Sequence, residues 1–109
     1  MMREGYQQQI REHLHMAFNL SDEKIDSMMP SFLDTIFSHL QTTEEIYASG
    51  NLAGLSKAGH KLKGALLNLG LSDLAEIALA VEQKAGREDM TADYGAMLSR
   101  LKGEITKLR

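Results

Sequence analysis

Apolar side chains return every three or four positions through most of this chain, and nowhere do they alternate in twos over a strand-length run. That regularity restricts the chain to helices. A period near 3.6 gathers apolar residues on one face of a helix but scatters them over both faces of a strand. Tyr6, Ile10, Leu14 and Phe18 begin the series, and Phe32, Leu33, Ile36, Phe37, Leu40 and Tyr47 continue it. Leu52, Leu55, Gly59, Leu62 and Leu66 make a third stripe, and Leu74, Ile77, Ala78, Val81 and Ala85 a fourth. Tyr94, Met97, Leu98, Leu101, Ile105 and Leu108 make the last.

The punctuation between the stripes predicts where helices start and stop. Ser21 is a good N-cap for a short helix through Met28 or Met29, and Pro30 interrupts it or opens the next one. Thr42 and Thr43 weaken the middle of the long stripe that follows and mark a place for a kink. Gly50 stops that helix and Asn51 caps the one after it. Asn68-Leu69-Gly70-Leu71 breaks the pattern again; Ser72 is placed to cap the next helix, Gly86 to end it and Thr91 to cap the last. Connections this short between helices this long make neighbours antiparallel. The expected fold is all-α: an antiparallel up-down four-helix bundle over about 31–49, 52–67, 73–85 and 92–108. An additional N-terminal helix, or two short helices, precedes it, so residues 1–20 read as a helical extension and 21–109 as the bundle.

Composition closes several routes to function. The 109 residues suffice for one domain with a real core. A net charge of −3 argues against nucleic acid as a partner. With no cysteine there is no disulfide, no thiolate metal site and no thiol nucleophile. No apolar run is long enough to span a bilayer and the polar start lacks a signal-peptide core, so no membrane partner and a cytoplasmic location are expected. His13 and His15, two residues apart, do not share a helix face, and His39 has no partner at ligand spacing, so no metal is expected.

The chemistry concentrates in Gly59-His60-Lys61-Leu62-Lys63-Gly64. On a helix His60, Lys63 and Gly64 stand at i, i+3 and i+4 and are surface neighbours. At about 100° per residue, His60 lies roughly 120° from the centre of the apolar stripe and Lys63 roughly 60° from it. His60 therefore faces solvent, and Lys63 stands at the boundary with its stem along apolar surface. A neutral imidazole can attack phosphorus, an ammonium can offset phosphoryl charge, and a glycine admits another protein's backbone. Lys57 and Lys61 lie farther round the exposed side. With Lys63 and Lys84 they suggest a basic rim for an acidic partner face. On the following helix Ala75, Leu79 and Glu82 share a flank predicted to adjoin His60, with Leu79 exposed, as a docking surface.

Residues 22 to 109 resemble a histidine-containing phosphotransfer (HPt) domain of two-component phosphorelays. The run His60-Lys61-Leu62-Lys63-Gly64-Ala65 carries the likeness, with small Gly59 before it and Leu69-Gly70 after it. Phe32-Leu33 at the start of the long helix, the turn Gly50-Asn51-Leu52, and Leu74, Val81 and Glu82 extend it. The resemblance implies a bundle whose surface histidine is reversibly phosphorylated. His60 would accept a phosphoryl group from a receiver-domain aspartate, or from a kinase, and pass it to another receiver. Lys63 would be the charge-balancing neighbour and Gly64 the point of close approach. Glu82 stands where some members have glutamine; it can accept a hydrogen bond from the imidazole or pair with Lys63. The expected partners are response-regulator receiver domains or a hybrid histidine kinase. No resident cofactor is expected, and Mg²⁺ is expected from the receiver. The chain reads as a carrier rather than an enzyme, having no Gly-rich phosphate loop and no ATP site. The alternative is a helical adaptor that binds a signalling partner without phosphotransfer.

Overall fold

The computed structural model describes the backbone of residues 2–109 and the side chains from residue 5 onward, and among them it holds helices and no strands. Five α-helices follow one another: α1 Met2–Phe18, α2 Asp22–Ala48, α3 Leu52–Asn68, α4 Ser72–Gly86 and α5 Tyr94–Ile105, with a closing 3-10 turn at Thr106–Leu108. Helices α2 to α5 form the expected bundle around a single core, to which α1 adds Ile10 and Leu14.

The long helix corrects one expectation. Ser21 caps α2 as predicted, its Oγ accepting from the Lys24 amide at 3.2 Å, with Asp22 and Glu23 favourably placed in the first turn. Pro30, however, neither stops nor starts a helix; it lies inside α2. A proline there removes one backbone hydrogen bond and typically costs about 3 kcal/mol. What carries the helix through is burial. Ile25, Met29, Leu33, Ile36 and Leu40 form one unbroken buried stripe on both sides of Pro30. Pro30 itself is exposed, so water can reach the carbonyl it leaves without a partner. Farther on, α2 also runs through Thr42-Thr43, where the fully buried Thr43 hydroxyl donates to the His39 carbonyl at 2.7 Å.

Two caps fall differently from prediction. Ser72 is the first helical residue of α4 and makes no capping bond; buried Leu71 occupies the boundary. Thr91 is held by Asp89, through both its amide (2.9 Å) and its hydroxyl (2.6 Å), so the cap of α5 passes to Asp93, whose carboxylate accepts from Ala96 at 3.0 Å. The Gly50-Asn51 turn is as expected: Gly50 takes a φ of +80° and Asn51 accepts from the Gly54 amide at 2.9 Å.

Helix α1 lies on the α3–α4 turn, the 3-10 turn and the start of α2. Tyr6 donates to Glu104 at 2.5 Å, Gln7 to the Leu108 carbonyl at 3.1 Å and Gln9 to the Gly70 carbonyl at 2.9 Å. Arg11 pairs with Asp22 and Asp26. Burial, then the Glu104 hydrogen bond and charge, push the Tyr6 hydroxyl up to about 12.

Candidate functional site

Helices α3 and α4 approach closely because Gly59 has no side chain. A Cβ built there would stand 3.2 Å from the Glu82 amide nitrogen and 3.3 Å from the Ala78 carbonyl oxygen. Next to this contact Ser56 donates to the Glu82 carbonyl at 2.9 Å. Backbone and side chain together fix the stretch of α4 that carries Glu82, directly against the turn of α3 that carries His60.

The side chains meet as a three-membered chain. His60 Nδ1 lies 3.1 Å from Glu82 Oε2, and Lys63 Nζ lies 2.8 Å from Glu82 Oε1. Oε1 is sealed from solvent, and the ammonium sits close but off the angle of a good hydrogen bond, so charge rather than directed bonding compensates it. The Lys63 ammonium first, and the His60 hydrogen bond second, hold the Glu82 carboxyl below the usual glutamate range against the opposing effect of burial. Glu82 is thus an anion near neutral pH and can only accept. The proton between the two groups belongs to His60 Nδ1, and a neutral ring so fixed carries its lone pair on Nε2. Exposure grades along the chain: the His60 side chain is 65% exposed, Glu82 24% and Lys63 20%. Solvent-facing imidazole and boundary lysine both stand where the helical spacing put them.

Gly64, one turn beyond His60, differs from Gly59: a Cβ there would meet nothing within 4 Å. Nothing among the described residues requires a glycine at that position. Lys57 and Lys61 are exposed and, among the described residues, pair with no carboxylate. Taking His60 as origin at about 100° per residue, Lys57 and Lys61 lie roughly 60° and 100° round toward α2, and Lys63 roughly 60° round toward α4. The four lysines therefore form no continuous rim. Lys63 is committed to Glu82 and Lys84 belongs to the C-terminal part of α4.

The predicted α4 docking flank needs correction. Ala75 is only 3% exposed and belongs to the core, so it offers a partner no surface. Its position on the α4 stripe beside Leu74, Ala78 and Val81 already placed it inward. Leu79 is half-buried rather than exposed. The larger apolar surface lies elsewhere: Leu67, 46% exposed, follows His60 and Gly64 along α3, and Phe18, 54% exposed, ends α1. Sequence reasoning passed over Leu67, although i, i+4 and i+7 from His60 was the signal that marks it. It also passed over Ser56, whose hydroxyl gave no sequence signal because its partner is a backbone carbonyl 26 residues away.

The family model of the Hpt domain matches residues 27–109 of the chain. No curated protein and no solved structure matches it.

Proposed function

Because the chain belongs to the Hpt domain family, we propose that it is a phosphocarrier in which His60 takes a phosphoryl group from a receiver-domain aspartate, or from a kinase, and passes it to another receiver. The observation that carries this reading is the exposed imidazole whose Nδ1 is tied to an ionised Glu82. Its Nε2 is left free toward solvent as the nucleophile.

The transfer balances on that ring. The Nε2 lone pair attacks phosphorus in line, an N–P bond forms, the P–O bond to the donor aspartate breaks, and the aspartate leaves as a carboxylate. The ring keeps its Nδ1 proton throughout and becomes a phosphorylated imidazolium. That developing positive charge lies beside the Glu82 carboxylate, which therefore acts as a positioning residue that also favours the phosphorylated ring. Lys63, at the other carboxylate oxygen, offsets part of the negative charge of Glu82 and so lessens its repulsion of an arriving phosphoryl group. Gly64 leaves room for the receiver backbone. The Mg²⁺ that offsets phosphoryl charge belongs, in this reading, to the receiver, and the carrier works without a catalytic centre of its own. No described helix is long and apolar enough to cross a membrane, and a cytoplasmic setting, where receivers act, belongs to the same proposal.

Radiolabelled phosphoryl transfer from phosphorylated receivers tests it. Label moves to the wild-type chain, and His60→Gln removes it while the far-ultraviolet circular dichroism stays helical. Binding of a receiver with no transfer of label overturns the carrier reading in favour of an adaptor.

A further inference from the structure

Of the five α-helices, α3 alone has no aspartate or glutamate, in a chain that has 15 of them, and it carries Lys57, Lys61 and Lys63. The three cations stand in different situations. Lys63 is drawn inward to the sealed Oε1 of Glu82 at 2.8 Å. Lys57 and Lys61 are exposed and, among the described residues, have no carboxylate partner. Their spacing from His60 separates these two. Lys57 is at i−3, a surface neighbour, roughly 60° round toward α2. Lys61 is at i+1, roughly 100° round, and residues one apart do not face each other. Helical side chains also lean toward the N-terminus, so the His60 ring covers the turn that carries Lys57 rather than the turn that follows. Farther along the same side, at Asn68 roughly 12 Å from His60 along the axis, the surface gives way to an apolar cleft. It has a volume of about 430 Å³, lies between α1, α2 and α3, and offers an anion no cation.

The orientation of the ring decides which lysine meets a phosphoryl group. Nδ1 is tied to Glu82 on the α4 flank, and an imidazole carries its two nitrogens on opposite edges. Nε2 is therefore turned to the other flank, where Lys57 stands. A phosphoryl group on Nε2 is largely doubly ionised near neutral pH, and the ring that carries it is singly positive. Glu82 and Lys63 form their own pair behind the ring, so one negative formal charge is left without a partner. Resting on the phosphotransfer reading, we infer that Lys57 supplies that partner: its ammonium pairs with the phosphoryl oxygens on His60, a contact that Lys63, held by Glu82, does not make. Lys57 then acts on the incoming group as well as on the bound one. It attracts an anionic donor to Nε2 and, once the N–P bond has formed, favours the phosphoryl dianion over its protonated form.

The test phosphorylates the full chain with phosphoramidate, an anionic donor that needs no protein partner, and uses His60→Gln as the blank. Lys57→Gln removes the cation, Lys57→Arg keeps it, and Lys61→Gln makes the same change in net charge one residue from His60. Two quantities are read in each protein: the initial rate of labelling, and the pH at which the phosphorus resonance of the phosphohistidine titrates. Lys57→Gln should slow labelling about two- to fivefold, the scale of an exposed ion pair. It should also move the phosphorus titration to higher pH, because a cation beside the dianion is lost. Lys57→Arg should restore both, and Lys61→Gln should stay near wild type. A phosphorus titration that ignores Lys57→Gln overturns the assignment, as do equal shifts in Lys57→Gln and Lys61→Gln, which would report net charge alone. Failure of Lys57→Arg to restore the titration overturns it too. Exchange of label with receiver domains of the source organism is measured beside these. If wild type exchanges label and Lys57→Gln leaves the titration unmoved, the Lys57 assignment falls and the carrier reading stands. If the titration depends on Lys57 and no receiver exchanges label, the assignment stands and the carrier reading falls.

Discussion

Gly59 and Gly64 are five residues apart on one helix, and they are glycines for opposite reasons. Gly59 lies on the flank of α3 that faces α4, where a Cβ would press on the Glu82 and Ala78 backbone at 3.2 and 3.3 Å. Gly64 lies on the open face, where a Cβ would touch nothing of this chain within 4 Å. The two flanks differ in the same way. Toward α4 everything is joined: Gly59 to backbone, Ser56 to the Glu82 carbonyl, Lys63 and His60 to the Glu82 carboxylate. Toward α2, beyond the core, stand lysines unpaired among the described residues and an apolar cleft closed by α1, while exposed Leu67 lies on the open face close to the line of His60. One flank holds a ring in place; the other leaves surface for something that is not part of the chain.

The largest effect should come from filling the tight side. Gly59→Val forces α4 outward, since the atoms it meets are backbone that no rotamer change can move. Overpacking of this kind typically costs about 1–3 kcal/mol, and a β-branched side chain against two backbone groups belongs at the upper end. Urea midpoints measure the loss, and the His60 Nδ1 resonance should move as Glu82 is carried away. An unchanged midpoint would mean that the α3–α4 contact is looser than its distances. Next in size is Gly64→Ala, with stability and function moving apart. Removing a helix-interior glycine in open space should raise stability by up to about 1 kcal/mol. Transfer from a receiver should nevertheless fall about tenfold, equivalent to about 1.4 kcal/mol, with phosphoramidate labelling intact. Should Gly64→Ala transfer as fast as wild type, the open face is not where the partner comes close. A smaller effect belongs to Ser56→Ala. It leaves the buried side of one hydrogen bond without its donor, and about 1 kcal/mol is the ordinary consequence. Leu67→Ser, on the exposed face, should change stability by less than about 0.5 kcal/mol. A larger loss from Leu67→Ser than from Ser56→Ala would reverse the assignment of the two flanks.

These differences also show what the residues alone could and could not disclose. Helix periodicity identified α1, α3, α4 and α5, the helical residues of α2 on either side of Pro30, and the outward direction of His60, because these depend on local spacing. Gly59 sits on the apolar stripe, and nothing local reveals that it is there to let in the backbone of α4. Pro30 was misjudged for a related reason. Its local penalty is real, but the buried stripe from Ile25 to Leu40 spans it and outweighs it. Thr91 was misassigned as a cap because Asp89, two residues before it, captures the hydroxyl. The α4 docking flank failed at Ala75, which a whole-helix view of the buried stripe places inward. The cleft beside α1 depends on three elements meeting, and no pattern within one of them announces it.

A last, pH-dependent effect tests whether the tight flank is held by charge or only by shape. With its carboxyl held below the ordinary glutamate range in the folded state, Glu82 contributes stability that is fully present above that range and fades as pH falls through the folded value. Glu82→Gln keeps an oxygen that can accept from His60 Nδ1 but removes the charge that Lys63 compensates. At about pH 7 the wild type should therefore be the more stable, by less than about 1 kcal/mol because the pair is partly solvated. At an acid pH below the ordinary glutamate range that advantage should shrink, as the glutamate takes up its proton. Chemical denaturation of both proteins at the two pH values reads the difference. A gap that persists unchanged into acid would assign the Glu82 contribution to packing. A gap that closes would show that the ion pair behind His60 is part of what holds the ring, and that a glutamine at this position orients the imidazole with less force.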